Sequence, residues 1–255
     1  MKLLNFQAVE GPMQAGVLQA DRVHSLGALD YHSVKQVLEA GEDGLSKVRE
    51  LLDGASTGSG MAKMPLPSVP TVFAKFSNTV THPGDAIVLP KDTAKPDYEA
   101  EFAFVIGKRG RRIPAENWRE YVAGYTIIND VSARDFQMAT SQWIMGKTCD
   151  TFCPMGPYLV TADEIEDPHN LRVELLLNGE GMQDSSTREL IFKIPELIAH
   201  LSAAMTLEPG DVVSTGTPAG VGFSKKPPRW LQEGDECVVR IEGLGELRNP
   251  VQLEK

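Results

Sequence analysis

Apolar positions in this chain come mostly in short runs bounded by turn residues, the pattern of strands. Three such runs, Leu3 to Phe6, Ala15 to Leu18 and Val23 to Leu26, fill the first 32 residues. From Ser33 the spacing changes. Val34, Val37 and Leu38, then Leu45, Val48, Leu51 and Leu52, recur at helical intervals. Gly41-Glu42-Asp43-Gly44 divides them, which predicts two short helices rather than one. Gly54-Ala-Ser-Thr-Gly-Ser-Gly60 has the composition of a flexible linker, so residues 1–60 read as a small N-terminal α/β subdomain.

Residues 61–255 form the larger part. They open on Pro65, Pro67 and Pro70 and a strand-like Thr71 to Phe76. In Asp97 to Gly107 the second half is apolar on both alternating faces, which predicts a strand buried on two sides. Trp118 to Ala123 predicts a short helix, and Tyr125 to Asn129 a second buried strand that ends in Asp130. One or two helical turns follow to Gln137, with Arg134 and Gln137 on one side. Leu171 to Leu177 is strand-like up to an Asn178-Gly179 turn, and Ile194 to Leu207 is an amphipathic helix. The close is rich in strands, with corners at Pro209-Gly-Asp211, Glu233-Gly-Asp235 and Gly243-Leu-Gly245. Strands dominate without regular strand–helix alternation, so the expected fold is α+β and β-rich, mixed and mainly antiparallel.

The chain's 255 residues can bury a sizeable core. A net charge of −10, with no dense Lys/Arg run, argues against a nucleic-acid or anionic-membrane partner. No apolar run approaches the ~20 residues of a membrane span, and the first seven residues hold too short an apolar core for a signal peptide. Cys149, Cys153 and Cys237 make no disulfide framework and no zinc spacing. The expectation is reduced thiols and a cytoplasmic protein.

Glu99 and Glu101 point the same way from their strand, with Cα atoms about 7 Å apart. Further along, that face carries Ala103 and Val105, so the two acids stand at the mouth of an interior. At about 5 Å and an effective dielectric of about 20 their repulsion is about 3 kcal/mol. A shared proton, a basic partner or a cation must offset it, unless the strand end dips into solvent. Asp130 adds a third carboxylate at the end of a buried strand. Three carboxylates without a nitrogen or sulfur ligand describe a hard-cation site, Mg²⁺ or Mn²⁺ before Ca²⁺ or Zn²⁺. Lys147 is the basic residue expected near them, with Arg134, Gln137 and Thr217 as company.

Other motifs fail. Gly146-Lys147-Thr148 lacks the first glycine of a phosphate-binding loop, because Ser141 stands in its place. The glycines of Gly216 to Gly222 have the wrong spacing for a dinucleotide fingerprint. No Gly-x-Ser-x-Gly is present, and no two of the five histidines pair at metal spacing.

Several segments together resemble the fumarylacetoacetate hydrolase family. They are Asp97-Tyr-Glu-Ala-Glu101, Asn129-Asp-Val-Ser-Ala-Arg-Asp-Phe-Gln137, Gln142-Trp143 with Gly146-Lys-Thr148, and Asp150-Thr-Phe-Cys-Pro-Met-Gly-Pro157. Asn178-Gly-Glu180 and Pro209-Gly-Asp211 through Gly222 belong with them. The resemblance runs from about Thr71 to Val251. Lys225-Lys-Pro-Pro228 and Cys149 to Pro157 look most like the family's domain-containing subgroup, which includes oxaloacetate keto–enol tautomerases.

The resemblance implies a mixed β-sandwich roll and one Mg²⁺ or Mn²⁺ on Glu99, Glu101 and Asp130. It implies an active-site Lys147, either donating to a developing oxyanion or moving a proton, or else balancing the acids. Arg134 and Gln137 would orient the far end of the substrate or brace their turn, and Thr217 would lie near the substrate carboxylate or serve its own turn. Small 2-oxo or 1,3-dicarbonyl acids are the implied substrates, and a homodimer the implied assembly. C–C hydrolysis of an acylpyruvate-like acid, through an enolate stabilised by the metal, is the leading expectation. Oxaloacetate tautomerisation or decarboxylation is the alternative. The family's Asn-Tyr-x-x-His lid segment, which activates the hydrolytic water, has Gly60-Met-Ala-Lys-Met-Pro65 in its place, and His82 does not take its role. That departure adds a third possibility, an impaired relative that binds metal.

Overall fold

The computed structural model describes residues 1–7, 13–19, 22–26, 29–50 and 70–255. The chain opens on β1 (Lys2–Gln7), β2 (Met13–Gln19) and β3 (Arg22–Ser25). Helices α1 (Val34–Glu39) and α2 (Gly41–Glu50) follow. Ser33 caps α1: its hydroxyl accepts from Gln36 N–H, and the Gln36 side chain accepts from Ser33 N–H. The break between helices falls at Ala40, so the predicted glycine divider opens α2 instead of separating the pair.

Next come β4 (Val80–Thr81), β5 (Ile87–Leu89), β6 (Pro96–Asp97), β7 (Ala100–Ile106) and β8 (Val122–Asn129). Then β9 (Ser132–Ala133) leads into α3 (Arg134–Met138) and α4 (Ile144–Lys147). The rest is β10 (Cys153–Thr161), β11 (Arg172–Leu177), β12 (Glu180–Ser186), α5 (Ile194–Ala204), β13 (Val212–Ser214), β14 (Glu236–Ile241) and β15 (Gly245–Leu253).

Among the described residues, eight strands form one sheet in the order β13-β7-β8-β10-β1-β2-β3, with β4 beside β10. Five form a second, β12-β11-β14-β15-β5, and β6 pairs with β9. Pairing is antiparallel except at β4–β10 and β5–β15. This is the mixed, β-rich α+β fold expected from the pattern.

Residue parity along β7 decides where everything lies. Phe102, Phe104 and Ile106 join Tyr125 and Ile127 of β8 in the core between the sheets. Val173, Leu175 and Leu177 of β11 and Val239 and Ile241 of β14 meet them there, and α5 adds Ile194, Ile198 and Leu201. Each such side chain is worth about 1.5–3 kcal/mol on burial, so β7 and β8 are firmly seated. The odd positions face away from that core. Val105 packs among Leu3, Val17, Val37 and Leu159, and Ala103 among Ile128 and Cys153. Glu99 and Glu101 begin this same odd row.

The N-terminal strands continue the large sheet, since β1 pairs with β10 at Lys2↔Val160. The linker at residues 54–60 and the stretch from Gly60 to Pro65 lie outside the described residues. No helix among the described residues is long and apolar enough to cross a membrane.

Two local expectations resolve differently. Trp118 to Ala123 divides between a 3-10 turn, Ala115–Glu120, and the start of β8, because Val122 already pairs with Ile106. Thr71 to Phe76 forms no regular element and joins no sheet. Its alternation reports sidedness alone: Phe73 and Lys75 are half-buried, while Val72 and Phe76 are 50% and 54% exposed.

Candidate active site

Glu99 immediately precedes β7, Glu101 is its second residue, and Asp130 immediately follows β8. The two strands pair at Ala100↔Asn129. Past that pair, Asp130 N–H donates to Glu99 O at 2.8 Å, and Glu99 N–H to the Asn129 side-chain oxygen at 3.0 Å. The ladder therefore delivers all three carboxyls to one end of the sheet. All are buried, and one oxygen from each lies within 4.8 Å of the others.

Cationic groups converge on two of the three. Lys147, at the end of α4, donates through Nζ to Glu99 Oε2 at 2.6 Å and Asp130 Oδ2 at 2.5 Å. The Phe73 ring lies 5.1 Å from that ammonium, in cation–π range. Gly146 allows this placement. A Cβ there would stand 2.5 Å from Gln137 N and 2.6 Å from Ala133 O, so α4 can lie directly on the backbone of α3. Lys75 Nζ donates to Asp130 Oδ1 at 2.6 Å and to Val131 O at 3.4 Å.

Arg134 donates through Nη1 to Glu99 Oε1 at 2.6 Å and Gln137 Oε1 at 3.0 Å. Through Nη2 and Nε it reaches Asp97 Oδ2 at 2.7 and 2.8 Å. Glu101 is served differently. Ser214 Oγ and Gly216 N–H donate to its Oε2 at 2.6 and 3.0 Å, brought there by β13.

These surroundings divide the acids. Burial pushes the Glu101 carboxyl up to about 8, helped by the Asp130 and Glu99 charges. Burial also raises Glu99, against the pull of Lys147. Burial would raise Asp130 too, yet the ammoniums of Lys147 and Lys75 hold it below the usual carboxylate range. Burial opposes the charge on Lys147, and Glu99, Asp130 and Glu101 more than restore it.

The donor set fits a divalent ion. Its three converging carboxyls are hard oxygen ligands, and with Asp97 they outnumber Lys75, Lys147 and Arg134. Thus the structure brings Glu99, Glu101, Asp130, Lys147, Arg134 and Gln137 together. Thr217 sits on the loop after β13, where its hydroxyl donates to Ala100 O at 2.9 Å and accepts from Gln183 Nε2 at 2.9 Å. The sequence reading missed Lys75, Phe73 and Ser214. The alternation at 71–76 puts Phe73 and Lys75 on one side, but its apolar row is Val72, Ala74 and Phe76, which the structure exposes, so the sequence carried no signal for either.

Asp97, fully buried, has a role that its motif did not reveal. Besides Arg134 it accepts from Gly222 N–H at 2.7 Å and Phe223 N–H at 3.1 Å. A Cβ on Gly222 would stand 1.9 Å from Arg229 O and 2.7 Å from Asp97 Oδ1. Gly222→Ala is therefore expected to cost about 2–3 kcal/mol, measured as a lower urea midpoint. An unchanged midpoint would mean that the turn relaxes freely.

Comparison with known proteins adds relatives to this geometry. Residues 44–252 match the family described as fumarylacetoacetate (FAA) hydrolase, C-terminal. The chain is 50% identical over 187 residues to the Rattus norvegicus protein named oxaloacetate tautomerase Fahd2a, mitochondrial, covering 73% of this chain and 60% of that one. It thus spans about three fifths of the curated relatives it matches. Among solved structures, the fumarylacetoacetate hydrolase from psychrophilic Exiguobacterium antarcticum superposes over the whole of both chains, with a TM-score of 0.87 and 34% identity. The maleylpyruvate hydrolase from Sphingobium sp. SYK-6 does so over the whole of both chains at 0.83 and 27%.

Proposed function

The chain belongs to the fumarylacetoacetate hydrolase family, and on that premise we propose that it is a divalent-metal-dependent enzyme interconverting the keto and enol forms of a small 2-oxo diacid. The observation that carries this reading is the Lys147 ammonium, buried between Glu99 and Asp130 at 2.6 and 2.5 Å. Ketonisation forms a C–H bond and breaks an O–H bond, so it needs one proton donor and one acceptor. Lys147 can serve as both in turn, its ammonium giving a proton to carbon and the resulting amine taking one from the enol hydroxyl, shielded from solvent. Mg²⁺ or Mn²⁺ on Glu99, Glu101 and Asp130 would supply Lewis-acid polarisation of a chelated 2-oxo acid. Arg134, with bonds to Asp97, Glu99 and Gln137, positions Glu99. The Gln137 side-chain NH₂, left over once its oxygen accepts from Arg134, is a donor for the substrate, and Thr217 supports the adjoining loop.

Hydrolysis of a C–C bond in an acylpyruvate, placed first on the sequence, is the second reading. The whole-chain likeness to two solved proteins titled hydrolases supports it. The names of the curated relatives favour tautomerisation. Those names also carry the word mitochondrial, against the cytoplasmic expectation. The proposal is confined to a reducing compartment, which the buried free thiols of Cys153 and Cys237 support. A homodimer belongs to the same proposal and is read by light scattering.

Purified chain with Mg²⁺ is expected to accelerate ketonisation of enol-oxaloacetate, followed by the loss of enol absorbance, while leaving acetylpyruvate intact. Pyruvate and acetate from acetylpyruvate would establish the hydrolase instead, and pyruvate with CO₂ from oxaloacetate a decarboxylase. Inactivity on both would sink the catalytic reading and leave a metal-binding relative.

A further inference from the structure

Lys75 places a second ammonium on a single carboxylate. Asp130 accepts from Lys75 Nζ at Oδ1 and from Lys147 Nζ at Oδ2, so each of its oxygens already faces a cation. A divalent ion taking Asp130 as a ligand must come within a few ångströms of one ammonium, and that repulsion is strong in a buried site.

The two lysines differ in what holds them. Lys147 is 2% exposed, shared by Glu99 and Asp130, and roofed by the Phe73 ring. The Lys75 side chain is 13% exposed, and beyond Asp130 it has the long bond to Val131 O. Its backbone belongs to the segment 71–76, which joins no sheet. Lys75 therefore has fewer bonds to give up and a route toward solvent.

We infer that Lys75 is the counter-cation a divalent ion displaces from Asp130, and that it thereby sets how tightly the site takes its ion. The inference rests on the reading of Glu99, Glu101 and Asp130 as metal ligands. It also predicts a direction. A residue that merely orients a metal ligand, when removed, weakens metal affinity by about 10–100-fold. A competing cation, when removed, strengthens it.

The test is calorimetric titration of Mn²⁺ into the full chain and its Lys75→Met and Lys75→Gln variants. Both variants are expected to bind about tenfold tighter than the parent, the scale of removing one like charge a few ångströms from the ion. Melting temperature gives a second readout, and Mn²⁺ should raise it more in the variants. If Lys75→Met does not fold, Lys75→Gln, which can still hydrogen-bond to Asp130, decides alone. A parent that binds Mn²⁺ and variants that bind it equally or more weakly would overturn this inference and spare the metal reading. A parent that binds no Mn²⁺ would overturn both.

Discussion

Asp130→Ala is expected to abolish Mn²⁺ binding in calorimetry, together with any rise in melting temperature on adding the ion. Asp130 comes from β8 and the two glutamates from the start of β7, so it closes the third side of the oxygen set. Its loss also leaves Lys75 without a carboxylate and Lys147 with Glu99 alone, tilting the local charge toward positive. Both changes act against a cation. Asp130→Asn separates ligation from folding: it keeps the shape and one acceptor oxygen, so native circular dichroism with the ion still lost is expected. Mn²⁺ binding by Asp130→Asn as tight as the parent's would remove Asp130 from the ligand set.

Lys147→Met is expected to slow turnover by ~10²-fold or more with Mn²⁺ binding retained, the scale of a lost proton-transfer or oxyanion-stabilising group. Methionine keeps most of the lysine's length and leaves Phe73 a side chain to cover. What disappears is the proton-bearing nitrogen between Glu99 and Asp130. Two buried carboxyls then lose a partner, so a lower melting temperature without added ion should accompany the kinetic loss. The two effects separate under saturating Mn²⁺, which restores charge balance but not the proton. A near-normal kcat with reduced stability would make Lys147 a charge balancer and nothing more.

Those residues were legible in the sequence because strand parity is local. Once Phe102, Phe104 and Ile106 are read as one apolar row, Glu99 and Glu101 must lie on the other, and no knowledge of the fold is needed to pair them. Asp130 was legible for a similar reason, as an acid closing an apolar run. Lys147 stood out through the motifs around it, but its contacts depend on α4 lying against α3, a packing that Gly146 permits and no periodicity announces. Lys75 was not legible. Its segment alternates like a strand, and nothing local says that its lysine reaches a carboxylate 55 residues away. Ser214 and Gly216 were hidden likewise, since they reach Glu101 through the pairing of β13 with β7, at a separation of more than 100 residues.

The anchoring of the loop before Arg229 on Asp97 bears on which of its positions can vary over generations. Asp97 recognises the main chain at 222 and 223, not side chains. Position 222 is thereby closed to anything but glycine, whereas Phe223, 55% exposed, lends the anchor nothing but its amide. Glu101 likewise takes its loop contact from the backbone of Gly216. The exposed side chains at 219 and 223 can be exchanged without unseating the carboxylates, whereas Thr217 is tied to Ala100 O and Gln183 and a Cβ on Gly220 would stand 2.3 Å from Met182 O. Selection can therefore vary what these two positions present at the surface while the carboxylates beneath keep their places.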